Sequence, residues 1–546
     1  MLVDQAVHAL SAQRVGLCEQ LCAKIESVHP GDADAANILG IIRVQAGDVK
    51  RGEALLLQAA QTSPRRPEFH DNLGKLYLSQ KLYGDAVACY ANALQHNPDS
   101  LKIKLGYCTA LVPYGESDKA LPILQALHDQ LPKNTDVMMG LFSTHYHLHR
   151  YEDAMAFLDA VIARSGRHFE AHFQKAQVLM QQGNMEQAEV EFRIALSIQP
   201  DHAAALANLA DLKKFRVGDD ADLQSMQELY VQSEPGSPDR VHLCFALAKA
   251  YEELKQFDQA FEYYKEGNEV RHAHSTFNLD AELAHLQVVT AFYTPDALSR
   301  ISGLEDERPI FVVGLPRCGS TLTEQILASH PDVASRGEWN AFDRVLYESR
   351  NLENPLTLEE MTGFSSEQWR GIGQAYLDRL DEGPKAKRIT DKTLINFRLI
   401  GAIHCALPRA RIVHVRRHPL DNCLAIYRAN LEGDDFDFGY DLESLAHYCR
   451  MYQQVMQHWR NVLPEGVMYE LHYEKLVANQ EGETRKLITA CGLPWDDACL
   501  RFTEADTMVS TSSVTQVRKG MYTDSVARWK CYEKHLQPLI HILGEV

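Results

Sequence analysis

A proline recurs on a 34-residue beat through the first 200 positions of this chain, at Pro30, Pro64, Pro98, Pro132 and Pro200. The one beat without proline holds Gly166, which can also end a helix. Ala86, Ala120, Ala154 and Ala188 keep the same step, as do Gly40 and Gly74. Such a period admits few folds, because it has room for two helices and their turns and forces each pair to stack on the next. One unit reads LGKLYLSQKLYGDAVACYANALQHNP. Small residues at Gly74, Ala86 and Ala93 let two antiparallel helices approach closely, and Tyr77 and Tyr90 fill the space between them. The proline then ends the second helix. An ordinary helical bundle would not hold these positions in phase over about five units.

The pattern resembles the tetratricopeptide repeat (TPR). A further unit spans residues 241–274, with Ala248, Tyr251, Ala260 and Tyr264 at the same internal spacing. Residues 211–240 contain GDDAD and SEPGSPD and break the beat, so an insertion or irregular repeat is expected there. The expectation is an all-α solenoid over residues 1–274. Nearest-neighbour stacking predicts that this array folds without the rest of the chain. The resemblance implies a concave face that takes a peptide or partner protein, though the array could also serve only as a support.

After about residue 275 the grammar changes. Residues 275–307 read as a helical, charged linker, and LEDER leads into Pro309. PIFVVG is a short apolar run closed by glycine, which reads as a buried strand. RIVHV (411–415) and VMYEL (467–471) are further strands with helical stretches between them, so residues 308–546 are expected to form an α/β, mostly parallel, P-loop-like domain.

Composition bounds the ligands. The 546 residues are 45% hydrophobic and 24% charged, as expected of a folded chain with at least two domains. A net charge of −19 disfavours nucleic acid and anionic membranes, so an anionic ligand needs a local basic pocket. The 12 cysteines are scattered without zinc spacing, which suggests reduced thiols. The segment MLVDQAVHALSAQR lacks a basic region followed by an apolar one, and no stretch of 18 apolar residues occurs. These features predict a cytoplasmic protein.

The segment IFVVGLPRCGSTLTEQILASHP, residues 310–331, carries the most chemistry. It reads strand, glycine-bounded loop, helix. Gly314 to Thr321 spells GxxxxG followed by Ser-Thr, and the loop amides with the helix N-terminus can surround a phosphate. A nucleotide triphosphatase loop would place lysine where Ser320 stands. Here the cation is Arg317, inside the loop, which argues against a magnesium-bound γ-phosphate and against a nucleotide kinase.

PRCGSTLTEQILASHP resembles the 5′-phosphosulfate loop of sulfotransferases, especially tyrosylprotein-sulfotransferase-like and TPR-sulfotransferase groups. Those enzymes use 3′-phosphoadenosine 5′-phosphosulfate (PAPS). The match implies that Arg317, Cys318, Gly319, Ser320 and Thr321 hold the 5′-phosphosulfate. Serine often replaces Cys318 in the family, and a thiol is the weaker hydrogen-bond partner. RIVHVRRHPLDNCLAIYR, residues 411–428, is similar to the family's 3′-phosphate segment. Arg417 matches its arginine, and Arg416 is the weaker candidate beside it. Ala425 stands where the family has serine, leaving the helix start near Asp421, Arg417 and Arg428 to carry that phosphate. The resemblance further implies cofactor contacts from Tyr473, Ser513 and the cluster Ser525, Arg528 and Trp529, although Trp529 also reads as a core residue.

Sulfuryl transfer requires a base for the acceptor hydroxyl and positive or dipolar groups for the sulfuryl oxygens and leaving phosphate. Glu338, in SRGEW, resembles the family's catalytic glutamate, with His330 and His414 as competing bases. Lys392, in ITDKTLINF, is the candidate for steadying the bridging oxygen. No metal is required. The resulting expectation is PAPS-dependent O-sulfation of a protein tyrosine, a glycan or a small-molecule hydroxyl. The alternative is a TPR scaffold protein with a degenerate nucleotide-binding domain.

Overall fold

A computed structural model of the chain describes residues 2–348, 361, 363–431, 434–504, 521 and 525–544. It divides into two units, Met1–Lys175 and Ala176–Val546. In the first, helices pair as the period requires: Ala33–Gln45 with Val49–Thr62, Pro67–Ser79 with Tyr83–His96, Leu101–Leu111 with Ser117–Gln130, and Thr135–His147 with Tyr151–Arg164. Pro64, Pro98 and Pro132 each lie just beyond the end of a second helix. Three of the four first helices start on polar caps, with side chains of Asp32, Ser100 and Asn134 accepting from the backbone N–H three residues on, and the fourth starts on Pro67. The small residues act as their spacing predicts. Ala86 and Ala93 are buried, and Tyr90 lies with one ring edge on Gly74 and the other on Gly106. A Cβ at Gly106 would stand 2.5 Å from that ring.

The second unit begins with further helices, among them Ala221–Gln232 inside the irregular stretch and the hairpin Pro238–Glu253 and Phe257–His272. Its sheet has five parallel strands: β1 (Pro309–Val313), β2 (Val333–Ser335), β3 (Arg388–Asp391), β4 (Arg411–Arg416) and β5 (Met468–His472). Their order is β2-β3-β1-β4-β5. Three of the five are the strands read from the sequence. The short β2 and β3 were not. β1 is central and wholly buried, as PIFVV requires. With β3 on one side and β4 on the other, the chain leaves β1 at the switch point of the sheet, where crevices form beyond the strand ends.

One apolar cluster runs from Leu206 through Tyr251, Phe261 and Tyr264 to Tyr427, Tyr532 and Leu539. The helical hairpin and the sheet domain of the second unit therefore share a core. Polar contacts reinforce it: Asn268 donates to the carbonyl of Tyr427 at 2.8 Å, Arg271 to Asn430 at 2.8 Å, and the Thr276 N–H to Asp437 at 2.8 Å.

Candidate active site

The loop after β1 turns sharply. Cys318 N–H donates to the carbonyl of Leu315 at 3.3 Å. Arg317 has φ 64° and Gly319 φ 103°, both in the left-handed region. That conformation is uncommon for an arginine and persists only where surroundings enforce it. Two residues that follow β4 do so, one just past its end and one in the helix Pro419–Tyr427. Asn422, buried, donates to the carbonyl of Pro316 at 2.6 Å, and Arg417 donates to the carbonyl of Arg317 at 3.0 Å. Gly319 has its own reason to be glycine, since a Cβ there would lie 2.5 Å from the Tyr473 ring. The helix Ser320–Ala328 follows, buried along nearly its whole length, so its first-turn amides are fixed in direction at the loop.

Four candidates come together here. Arg417 links Arg317 to the carbonyl of Ser525, which it meets at 2.7 Å, and its guanidinium lies 5.0 Å over the Tyr473 ring. The Tyr473 hydroxyl and Ser525 Oγ are 2.8 Å apart. Ser320 and Thr321 open the helix. The Cys318 thiol packs instead into the core with Ile310, Val413 and Leu471, and burial pushes its pKa up to about 11. Cys318 therefore contributes its backbone to the loop.

The other candidates of the 3′ side are engaged differently. Asp421 accepts from the backbone N–H groups of Ala527 at 2.7 Å and Trp529 at 2.9 Å. Trp529 stacks on His418 with the rings 5° from parallel. Arg416 pairs with Glu470 at 3.4 Å. Arg428 and Arg528 both reach Glu252, the latter at 2.7 Å. Ser513 lies outside the described residues.

The two catalytic candidates, from loops 54 positions apart, meet: Lys392 Nζ donates to Glu338 Oε1 at 2.5 Å. The lysine side chain is 1% exposed and the glutamate 50%. A buried ammonium thus holds a carboxylate that is half exposed. The competing bases lack such freedom. His330 accepts from Asp332 N–H on Nδ1 at 3.0 Å, so its Nε2 carries the proton donated to the carbonyl of Pro494 at 2.8 Å. His414 is buried between Glu470, at 3.0 Å, and the Tyr452 hydroxyl, at 2.5 Å, and burial lowers its pKa.

Sequence reasoning missed the residue that joins the candidate phosphate loop to this pair. Glu324, on the helix Ser320–Ala328, is buried and accepts from Ser335 Oγ at 2.7 Å, Gly337 N–H at 3.2 Å and Thr390 Oγ1 at 3.1 Å. It fixes the turn before Glu338 and the strand before Lys392 to the loop helix. A carboxylate amid LTEQILA was the available signal. Asp391, beside Lys392, accepts from Thr393 N–H at 3.0 Å and the Tyr376 hydroxyl at 3.3 Å. Full burial raises its pKa to about 6. Among the described residues, no group of histidine, cysteine, aspartate and glutamate side chains has the arrangement of a metal site, and no helix is long and apolar enough to cross a membrane.

Residues 309–497 match the sulfotransferase family. Residues 77–137, 111–166 and 148–212 match one tetratricopeptide repeat model, and 241–271 another. An uncharacterized protein of Aquifex aeolicus is 32% identical over 380 residues, 67% of this chain and 49% of that one. The protein-tyrosine sulfotransferase of Drosophila melanogaster is 27% identical over 281 residues, 46% of this chain and 54% of its own. Protein-tyrosine sulfotransferase 1 of Danio rerio is 26% identical over 229 residues, 40% and 62% respectively. The chain thus spans less than two thirds of the length of each of these relatives.

Proposed function

We propose, from the premise that the chain carries a sulfotransferase-family domain behind tetratricopeptide repeats, that it moves a sulfuryl group from PAPS to an acceptor hydroxyl. The observation that carries this reading is the contact of buried Lys392 with half-exposed Glu338, tied through Glu324 to a phosphate loop with arginine inside it. Glu338 takes the proton of the acceptor hydroxyl as its oxygen bonds to sulfur. The bond from sulfur to the 5′-phosphate oxygen breaks, and 3′,5′-ADP leaves. Lys392, released from Glu338 as that carboxylate is protonated, donates to the bridging oxygen where charge develops. Arg317 and the amides at Gly319, Ser320 and Thr321 hold the 5′-phosphosulfate. Arg417, Tyr473 and Ser525 belong to the side that takes the 3′-phosphate.

Two relatives are named for protein tyrosine, and TPR arrays present peptides, so a peptide hydroxyl is the acceptor we favour. Twelve unpaired cysteines, nearly all buried, support a reducing compartment, and we place the protein in the cytoplasm.

Labelled PAPS incubated with the protein and a host-cell extract tests the reading: label should pass to an acceptor sensitive to a sulfatase. Arg317→Ala should weaken 3′,5′-ADP binding about ten- to a hundred-fold by calorimetry, the loss of a charged hydrogen bond. Unchanged affinity would remove the loop from the cofactor site. Tight binding without transfer to any acceptor would favour a scaffold with a degenerate nucleotide module.

A further inference from the structure

We propose that Glu252, on the last helical hairpin of the second unit, is a positioning residue for the 3′-phosphate side of the site. The proposal rests on the PAPS reading above. Glu252 lies in the last turn of the helix Pro238–Glu253 and is 6% exposed. One carboxylate oxygen accepts from Arg428 and, at 2.7 Å, from Arg528; the other accepts from the Tyr532 hydroxyl at 2.7 Å and faces the Tyr264 hydroxyl at 3.4 Å. Burial by itself would raise its pKa, but the two guanidiniums hold it below the usual carboxylate range.

Both arginines lead to Arg417. Arg428 caps the C-terminal end of the helix Pro419–Tyr427, whose first turn carries Asp421 and which His418 joins to Arg417. Arg528 begins the short helix Arg528–Tyr532, and the residues just before it supply the Ser525 carbonyl to Arg417 and the Ala527 amide to Asp421. Ala527 has φ 57°, a left-handed conformation that alanine avoids unless held. One carboxylate of a repeat-like hairpin therefore clamps two segments on either side of the guanidinium expected to meet the 3′-phosphate. Removing its charge leaves two half-buried arginines without their shared carboxylate, and the segments they hold move with them.

The test uses the full chain. Glu252→Gln is compared with wild type for binding of 3′,5′-ADP and of 5′-AMP, which lacks the 3′-phosphate. We expect the 3′,5′-ADP dissociation constant to rise about ten-fold and that of 5′-AMP to change less than about three-fold. Glu252→Asp, which keeps the charge and shortens the reach, should fold even where Gln does not, and should show the same selective loss, smaller. Asp258→Asn is the control: it removes an exposed pair with Lys534 and His535 on the neighbouring helix and should leave both affinities unchanged. Equal losses for the two ligands, or none in a folded variant, would overturn the proposal, since a merely structural carboxylate lowers melting temperature without that selectivity. Hydrogen exchange at the Ala527 and Trp529 amides separates failure of the PAPS reading from failure of this one. If wild type binds neither ligand, faster exchange in Glu252→Gln still supports the clamp, and unchanged exchange refutes it.

Discussion

The two units of the chain treat buried charge in opposite ways. In Met1–Lys175, Asp71 is the one buried carboxylate among the described residues, and it serves two surface lysines, Lys75 at 2.7 Å and Lys102 at 2.8 Å. The rest of that interior is mainly apolar, with Asn37, Ser117, Thr144, His145 and His172 as its other buried polar residues. In Ala176–Val546, Glu252, Glu324, Arg388, Asp391, Lys392 and Asp421 are all buried. Burying a charge is costly unless it is paired or hydrogen-bonded, and a hydrophobic substitute often does as well for stability. A repeat needs only shape to stack. A site needs polar atoms held in fixed directions, and buried charges with saturated partners hold them.

The sharpest break of this contrast is a cut. A chain ending at Lys175 should give a strongly helical circular-dichroism spectrum and melt cooperatively, because its contacts are between neighbours. A chain beginning at Ser275 should fail to fold, because it lacks Phe261 and Tyr264 from its core and Glu252 from its two arginines. In a chain ending at residue 274, the same lost contacts should make the last hairpin melt before the helices in front of it. A soluble, cooperatively melting 275–546 fragment would show that the hairpin is an accessory.

Next in size is Glu338→Gln. It removes the base and keeps the hydrogen bond to Lys392, so single-turnover rate should fall by about 10²–10⁴ while 3′,5′-ADP affinity stays within a few-fold. A stable variant with a near-normal rate would dismiss Glu338.

A smaller effect is expected from Asp391→Asn, through pH. The folded chain raises this carboxyl from its unfolded value to about 6, so it favours the protonated form. The stability that form supplies is complete below the unfolded pKa and is lost as pH rises through the folded one. Asparagine stays neutral. The stability of the variant relative to wild type, read from pH-dependent melting, should therefore rise between about pH 4 and pH 7, by an amount on the order of 3 kcal/mol at most. A difference independent of pH would mean that Asp391 stays ionised. The smallest effect is Gly106→Ala in the first unit. Its new methyl meets a Tyr90 ring already pressed against Gly74, so stability should fall by about 1–2 kcal/mol, with ligand affinity unchanged.

What the sequence determined by itself is local. The prolines mark where second helices stop because a residue without an N–H cannot continue the helix, and PIFVV followed by glycine specifies a buried strand entering a loop. Gly74, Ala86 and Ala93 specify close helix packing because each acts on its immediate neighbour. β2 and β3, three and four residues long, carry too short a pattern to read and exist by pairing with β1 and with each other. Tertiary structure alone decided which side chains met. Glu252 reaches Arg428 and Arg528 across 176 and 276 positions, and the strand order sets the loop after β1 against the end of β4. It also engaged both ring nitrogens of His330 and His414, leaving Glu338 as the exposed one of the three candidate bases. The reason is physical: backbone preference is decided within a few residues, whereas the partner of a buried charge is decided by whichever distant segment the packed sheet and helices bring within hydrogen-bond reach.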